Sequence, residues 1–88
     1  MTDVPLDFNN VPRYQQLARI LIEQIQSGEL QPGMPIPSKR VIKQAYSVAG
    51  STTDRAVDVL KDLGMVVFVP GLGLYVTERK HWRKDTGG

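Results

Sequence analysis

Two short stretches of this chain concentrate side chains able to hold anions and polar edges. The first is Ser38-Lys39-Arg40 with Lys43; the second is Ser51-Thr52-Thr53-Asp54-Arg55. A guanidinium such as that of Arg40 forks onto a phosphate or a guanine edge. Hydroxyls at a helix start can bond phosphates, and the free N–H groups and dipole there favour an anion. A third cluster, Arg79, Lys80, Arg83 and Lys84 around His81 and Trp82, offers non-specific attraction to phosphate. Reactive chemistry is missing. The chain has no Cys and one His, so thiol redox chemistry, disulfides and zinc ribbons are excluded, and a His-based triad or metal site is disfavoured. No carboxylate pair or nucleophile–base set appears. The expectation is a binding protein, not an enzyme, with no cofactor and no metal.

These side chains must be positioned by a small molecule. Its 88 residues make one domain, too few for an open-sheet enzyme with its own cofactor pocket. Lys and Arg outnumber Asp and Glu by 11 to 9, a net charge of +2. Residues 79–88 hold four basic side chains against Asp85, so residues 1–78 are slightly acidic. A basic face therefore has to be sought in pattern, not in bulk charge. There is no apolar run of membrane-spanning length and no basic-then-apolar opening. A cytoplasmic protein with no membrane partner is expected.

Residues 1–10 read as a flexible N-terminal arm, 11–78 as the domain, and 79–88 as a basic flexible tail. Tyr14, Leu17, Ala18, Leu21 and Ile25 recur at helical steps over 11–27, with Pro12 in the first turn and Gly28 as the stop. Residues 28–37 hold too many Gly and Pro for a helix, although Met34 and Ile36 could form a short edge strand. Ser38 caps a second helix of about two turns, with Ile42, Ala45 and Tyr46 inward. A tight turn over Ser47–Gly50 follows. A third helix is expected from Ser51 to Leu63, on the core stripe Ala56, Val57, Leu60 and Leu63, and Gly64 ends it. Met65–Val69 and Leu74–Thr77 are strands around a Gly-bearing loop. The class is α+β, mostly α: three helices and a C-terminal β-hairpin wing, a winged helix-turn-helix.

The motifs support a family resemblance. They run Tyr14-x-Gln16-Leu17-Ala18-x-x-Leu21-x-x-x-Ile25-x-x-Gly28-x-Leu30-x-Pro32-Gly33, then Ile36-Pro37-Ser38-x-Arg40 with Ile42. Thr52, Ala56, Leu60, Gly64-Met65 and Gly71-x-Gly73-x-Tyr75-Val76 follow. Over residues 12–77 this resembles the DNA-binding domain of GntR-type bacterial transcription regulators. The resemblance implies a dimeric regulator, most simply a repressor, on an inverted-repeat operator in double-stranded DNA. It implies a third helix in the major groove and a wing at the minor groove. A ligand-binding or dimerisation domain normally follows. Here only ten residues follow the hairpin, so an isolated half and a minimal regulator lacking an effector domain both stay open, the opening Met1 favouring a natural start. No small-molecule site is expected in this chain.

Carried over residue by residue, the resemblance makes Arg40 the arginine of the second helix that meets DNA, with Ser38, Lys39 and Lys43 beside it. Gly50, Ser51, Thr52, Thr53 and Arg55 become contacts at the recognition-helix start, and Gly71 and Gly73 contacts in the wing. Several positions depart from the family. Lys39 replaces an acid. Gly50 and Asp54 stand where arginines are usual. The reading favoured for this is local: Ser51 and Asp54 form a capping box that starts the helix about two residues late. Val67, Phe68 and Leu72 are apolar where the wing is usually polar or basic, and Val67 and Phe68 cannot both face inward on one strand. Ile20 and Ile22 lie off the core stripe of the first helix. With Phe68 and Leu72 they suggest a protein interface. The competing function is therefore a winged helix used as a protein-interaction or assembly module.

Overall fold

The computed structural model describes residues 11–83, and its architecture follows from a few local signals. Helix α1 spans Arg13–Gln26 and buries Leu17, Ala18, Leu21 and Ile25, one stripe at three- and four-residue steps. Pro12 sits at its N-cap, and Gly28, with φ of +90°, turns the chain away past its end. Helix α2, Lys39–Tyr46, starts at Ser38, whose Oγ accepts from the Val41 N–H. It stops at Ser47, which takes the left-handed conformation. Ile42 is its one buried residue. Ala45, expected inside, is exposed, because so short a helix buries only a narrow stripe.

Helix α3, Gly50–Asp62, begins one residue earlier than the expected Ser51. Its N-cap is Ala49, which offers no side-chain acceptor. The proposed Ser51–Asp54 capping box therefore does not form. The helix is held from within instead: Thr53, Ala56, Val57 and Leu60 are buried on one stripe. At the far end the Met65 N–H donates to the Leu60 carbonyl and the Gly64 N–H to that of Lys61. This is the crossed pair of a Schellman turn, with Gly64 at φ of +74°.

Strands β1 (Val66–Val69) and β2 (Gly73–Val76) pair antiparallel, with Val66 opposite Val76 and Phe68 opposite Leu74. The loop is a turn in which the Leu72 N–H donates to the Val69 carbonyl, with Pro70 and Gly71 between. Gly71 has φ of +82°, as the third position of a type II turn requires. The outer edge of β2 is taken by Gly33–Ile36. The Gly33 N–H donates to Val76 O, Val76 N–H to Met34 O and Ile36 N–H to Leu74 O, at 2.8 to 3.0 Å. A bridge joins Pro35 and Tyr75, so the expected edge segment between prolines is present. The core is a single cluster of twelve buried apolar residues, drawn from all three helices, from Ile36 and Met65, and from the base of the wing. The fold is three helices with a two-stranded wing.

Residues 79–83 correct the expectation of a mobile tail. Arg79–His81 form a 3-10 turn. Trp82 Nε1 donates at 3.1 Å to both the carbonyl and the hydroxyl of Thr77. The Arg83 N–H donates to the Leu63 carbonyl at 2.7 Å. The expected arm over 1–10 and Lys84 in the tail lie outside the described residues.

Candidate nucleic-acid interface

The candidate surface is where the starts of α2 and α3 come together. Ser38, by capping α2, fixes the direction in which Lys39 and Arg40 leave the first turn. Arg40 is exposed and engages no acceptor among the described residues. Across from it, the first turn of α3 presents Ser51, exposed, and Thr52, half-buried. The α3 start has no side-chain cap, so its first N–H groups remain available to water or to an anion.

Lys39 crosses from α2 to α3. Its Nζ lies 3.1 Å from Asp54 Oδ2, and the two side chains remain 52% and 60% exposed. It passes over Gly50 on the way. A Cβ at position 50 would stand 3.2 Å from Lys39 Cε and 3.8 Å from Lys43 Nζ. The ends of both lysine side chains thus gather over Gly50 at the start of α3. Asp54 finds its partner in tertiary structure, fifteen residues back, and not in the local box expected for it.

Other expected contacts are redistributed. Thr53 is completely buried, with its Oγ1 donating to the Ala49 carbonyl, and is removed from the set. It lies on the core stripe of α3, so its hydroxyl closes a helical turn. Arg55 is exposed, but its guanidinium sits 5.4 Å from the Tyr14 ring centroid, turned towards α1. Gly71 is exposed at the wing tip and Gly73 is half-buried. In the tail, Arg79 stacks 4.9 Å from the Trp82 ring centroid, and Lys80 pairs with Glu78 at 3.4 Å. Arg83 is exposed.

The apolar residues do not make one patch. Ile20 lines a groove with Val11, Tyr46 and Val48, whereas Phe68 lines another with Lys39, Asp54 and Leu74. Ile22, expected at an interface, is half-buried and packs against the core. Val67, Phe68 and Leu72 are all exposed, the last two at 59% and 69%. Of the strand's residues only Val66 is buried, and Phe68 lies over the groove beside α3 without entering the core. Three residues do more in the structure than their sequence context indicates. Val41 is half exposed on α2 next to Arg40. Trp82 is a packing anchor that only the tertiary contact with Thr77 reveals. Lys39 was one phosphate contact among several, although the unusual Lys, Gly and Asp at 39, 50 and 54 pointed to a coupled set. No helix among the described residues is long and apolar enough to cross a membrane. No His, Asp and Glu group that could hold a metal ion occurs among them.

Residues 13–76 match the sequence pattern of the bacterial regulatory proteins, gntR family. The chain belongs to the GntR family. That is a family of transcription regulators, not of enzymes. Among curated GntR relatives, the transcriptional repressor NagR of Bacillus subtilis is 34% identical over 70 residues, covering 80% of this chain and 29% of NagR. The mannosyl-D-glycerate transport/metabolism system repressor MngR of Escherichia coli is 32% identical over 69 residues, covering 78% of this chain and 29% of the relative. The chain thus spans under a third of the length of these relatives. Among solved structures, AraR(DBD) in complex with operator ORX1 superposes with a TM-score of 0.75 at 26% identity, covering 88% of this chain and 93% of that one. The winged helix-turn-helix is therefore the GntR one.

Proposed function

We propose that this chain is the operator-binding unit of a bacterial transcription regulator. It inserts α3 into the major groove of double-stranded DNA and lays the wing along the flanking minor groove. The carrying observation is Arg40, exposed and without an acceptor among the described residues, beside the uncapped start of α3, in a chain that superposes on a GntR domain bound to its operator. Arg40 grips a phosphate or a guanine, Ser51 and Thr52 reach phosphates, and Lys43 adds charge. Arg79 and Arg83 extend the electrostatic attraction along the backbone.

One module of this size buries roughly 600–1,000 Å² on DNA and binds weakly alone. Two copies on an inverted repeat, with half-sites about one helical turn apart, supply the affinity. The reading is thus of a dimer on DNA, acting as a repressor in the cytoplasm, without catalysis, metal or cofactor. The test is selection from a randomised duplex pool, followed by fluorescence anisotropy at about 50 and 200 mM salt. An inverted repeat should be enriched. Arg40→Ala should weaken binding to it by roughly tenfold or more, the loss of one charge-assisted contact, with an unchanged melting temperature. Absence of any enriched sequence would overturn the proposal and turn attention to a protein partner at Phe68 and Leu72.

A further inference from the structure

We infer that Lys39 and Asp54 act together as one reading head for a single G·C base pair. The inference rests on the DNA-binding reading above. The side chains leave different helices and meet with donor and acceptor 3.1 Å apart, both more than half exposed. Neither is spent on the core. The pair stands at the start of α3, beside Gly50, which is covered there by the ends of the Lys39 and Lys43 side chains. On its other side it borders the groove that runs to Phe68 on the wing.

The major-groove edge of a G·C pair carries the complementary pattern. Guanine O6 is an acceptor, cytosine N4 is a donor, and the two are about 2.9 Å apart because they hydrogen-bond to each other. An ammonium over O6 and a carboxylate beside N4 close a ring of four hydrogen bonds without breaking the ion pair. Guanine N7 then offers the ammonium a second acceptor. The A·T edge also has a donor beside an acceptor, but it fits badly. Adenine N7, an acceptor, would face the carboxylate, and the thymine methyl would obstruct the lysine. The order of the pair sets the orientation: lysine on the purine, aspartate on the pyrimidine. A lone Asp54 near the phosphates would repel them; held against Lys39, it becomes an acceptor directed at a base.

Gly50 belongs to the same arrangement. A Cβ there would stand 3.2 Å from Lys39 Cε, and a long side chain would compete for the space that Lys39 crosses to reach Asp54. Lys39 and Asp54 are therefore specificity determinants, and Gly50 is the space that lets them meet.

The experiment is selection from randomised duplexes with the full chain and three variants, each checked by thermal melting. Wild type should enrich a half-site with G·C at one position by roughly tenfold over the other base pairs, the discrimination of one good two-point contact. Asp54→Ala should flatten the preference at that position alone. Lys39→Glu with Asp54→Lys keeps an ion pair of reversed order, and should convert G·C to C·G there. Gly50→Leu should lower the preference while leaving both partners present. An exposed pair of this kind contributes little to the fold, so wild type, Asp54→Ala and the reversed pair should melt alike. If Asp54→Ala and the reversed pair leave every position of the enriched half-site unchanged, the pair is not a reader and the inference falls. If wild type enriches nothing, the DNA-binding reading itself falls and takes the inference with it.

Discussion

The two ends of α3 are built on opposite plans. At its start, Ala49 offers no cap, Gly50 offers no side chain, and the neighbouring charges are exposed. At its finish, a Schellman turn closes the last carbonyls, Thr77 Oγ1 donates to the Gly64 carbonyl, and the segment after the wing is pinned by Trp82. The finish is satisfied internally. The start leaves its first donors uncapped and its charges exposed. On the proposed function, stability and recognition fall at different ends of one helix, so substitutions at the two ends should separate into different measurements.

The largest effect is expected at the finish. A Cβ on Gly64 would collide with the His81 carbonyl and would sit on a backbone with positive φ. Gly64→Ala should destabilise by about 2–3 kcal/mol, and the melting temperature should fall by roughly 10 °C or more. An unchanged melting curve would mean that the strap over Gly64 carries no load. Ser38→Ala comes next. It removes the one side-chain cap among the three main helices, and should cost about 1 kcal/mol by urea titration. It should also loosen the presentation of Arg40, so operator affinity should fall with stability. A loss of stability without a loss of affinity would detach the cap from the interface. The smallest effect is at the start of α3. Gly50→Ala adds helix-forming backbone where only the flexible end of Lys39 must yield, and should stabilise by roughly 0.5 kcal/mol. A drop in the melting temperature would place that end under tighter packing than the two-plan comparison allows.

What could be read from sequence followed the range of the interactions. Gly28, Gly64 and Ser38 act within a few residues of themselves, and their turns and cap were legible. So was the wing, because the Pro70-Gly71 turn and the flanking β-branched residues are adjacent. The start of α3 was misjudged because Asp54 had a local option, a box with Ser51, and a distant one, Lys39. Sequence displays only the first. Thr53 was misplaced for a different reason. Its chemistry suggested a contact, but its spacing from Ala56, Val57 and Leu60 put it on the buried stripe, and there burial of the helix face prevails. The ordering of 79–83 depends on Trp82 meeting Thr77, a contact made only after the hairpin has turned the chain back. Arg40 was legible as a surface cation through the resemblance, but that it meets no acceptor among the described residues needed coordinates.

The segment Gly33–Ile36 has a mechanical meaning. It is hydrogen-bonded along β2 on one side, and two residues later the chain reaches the Ser38 cap. Wing and α2 are thus braced to each other by a short extended strut that is held by its backbone, so the gap between them works like the jaws of a caliper. A duplex gripped at both points would have to conform to that fixed opening. Base steps that narrow or bend easily would then be favoured at positions no side chain touches.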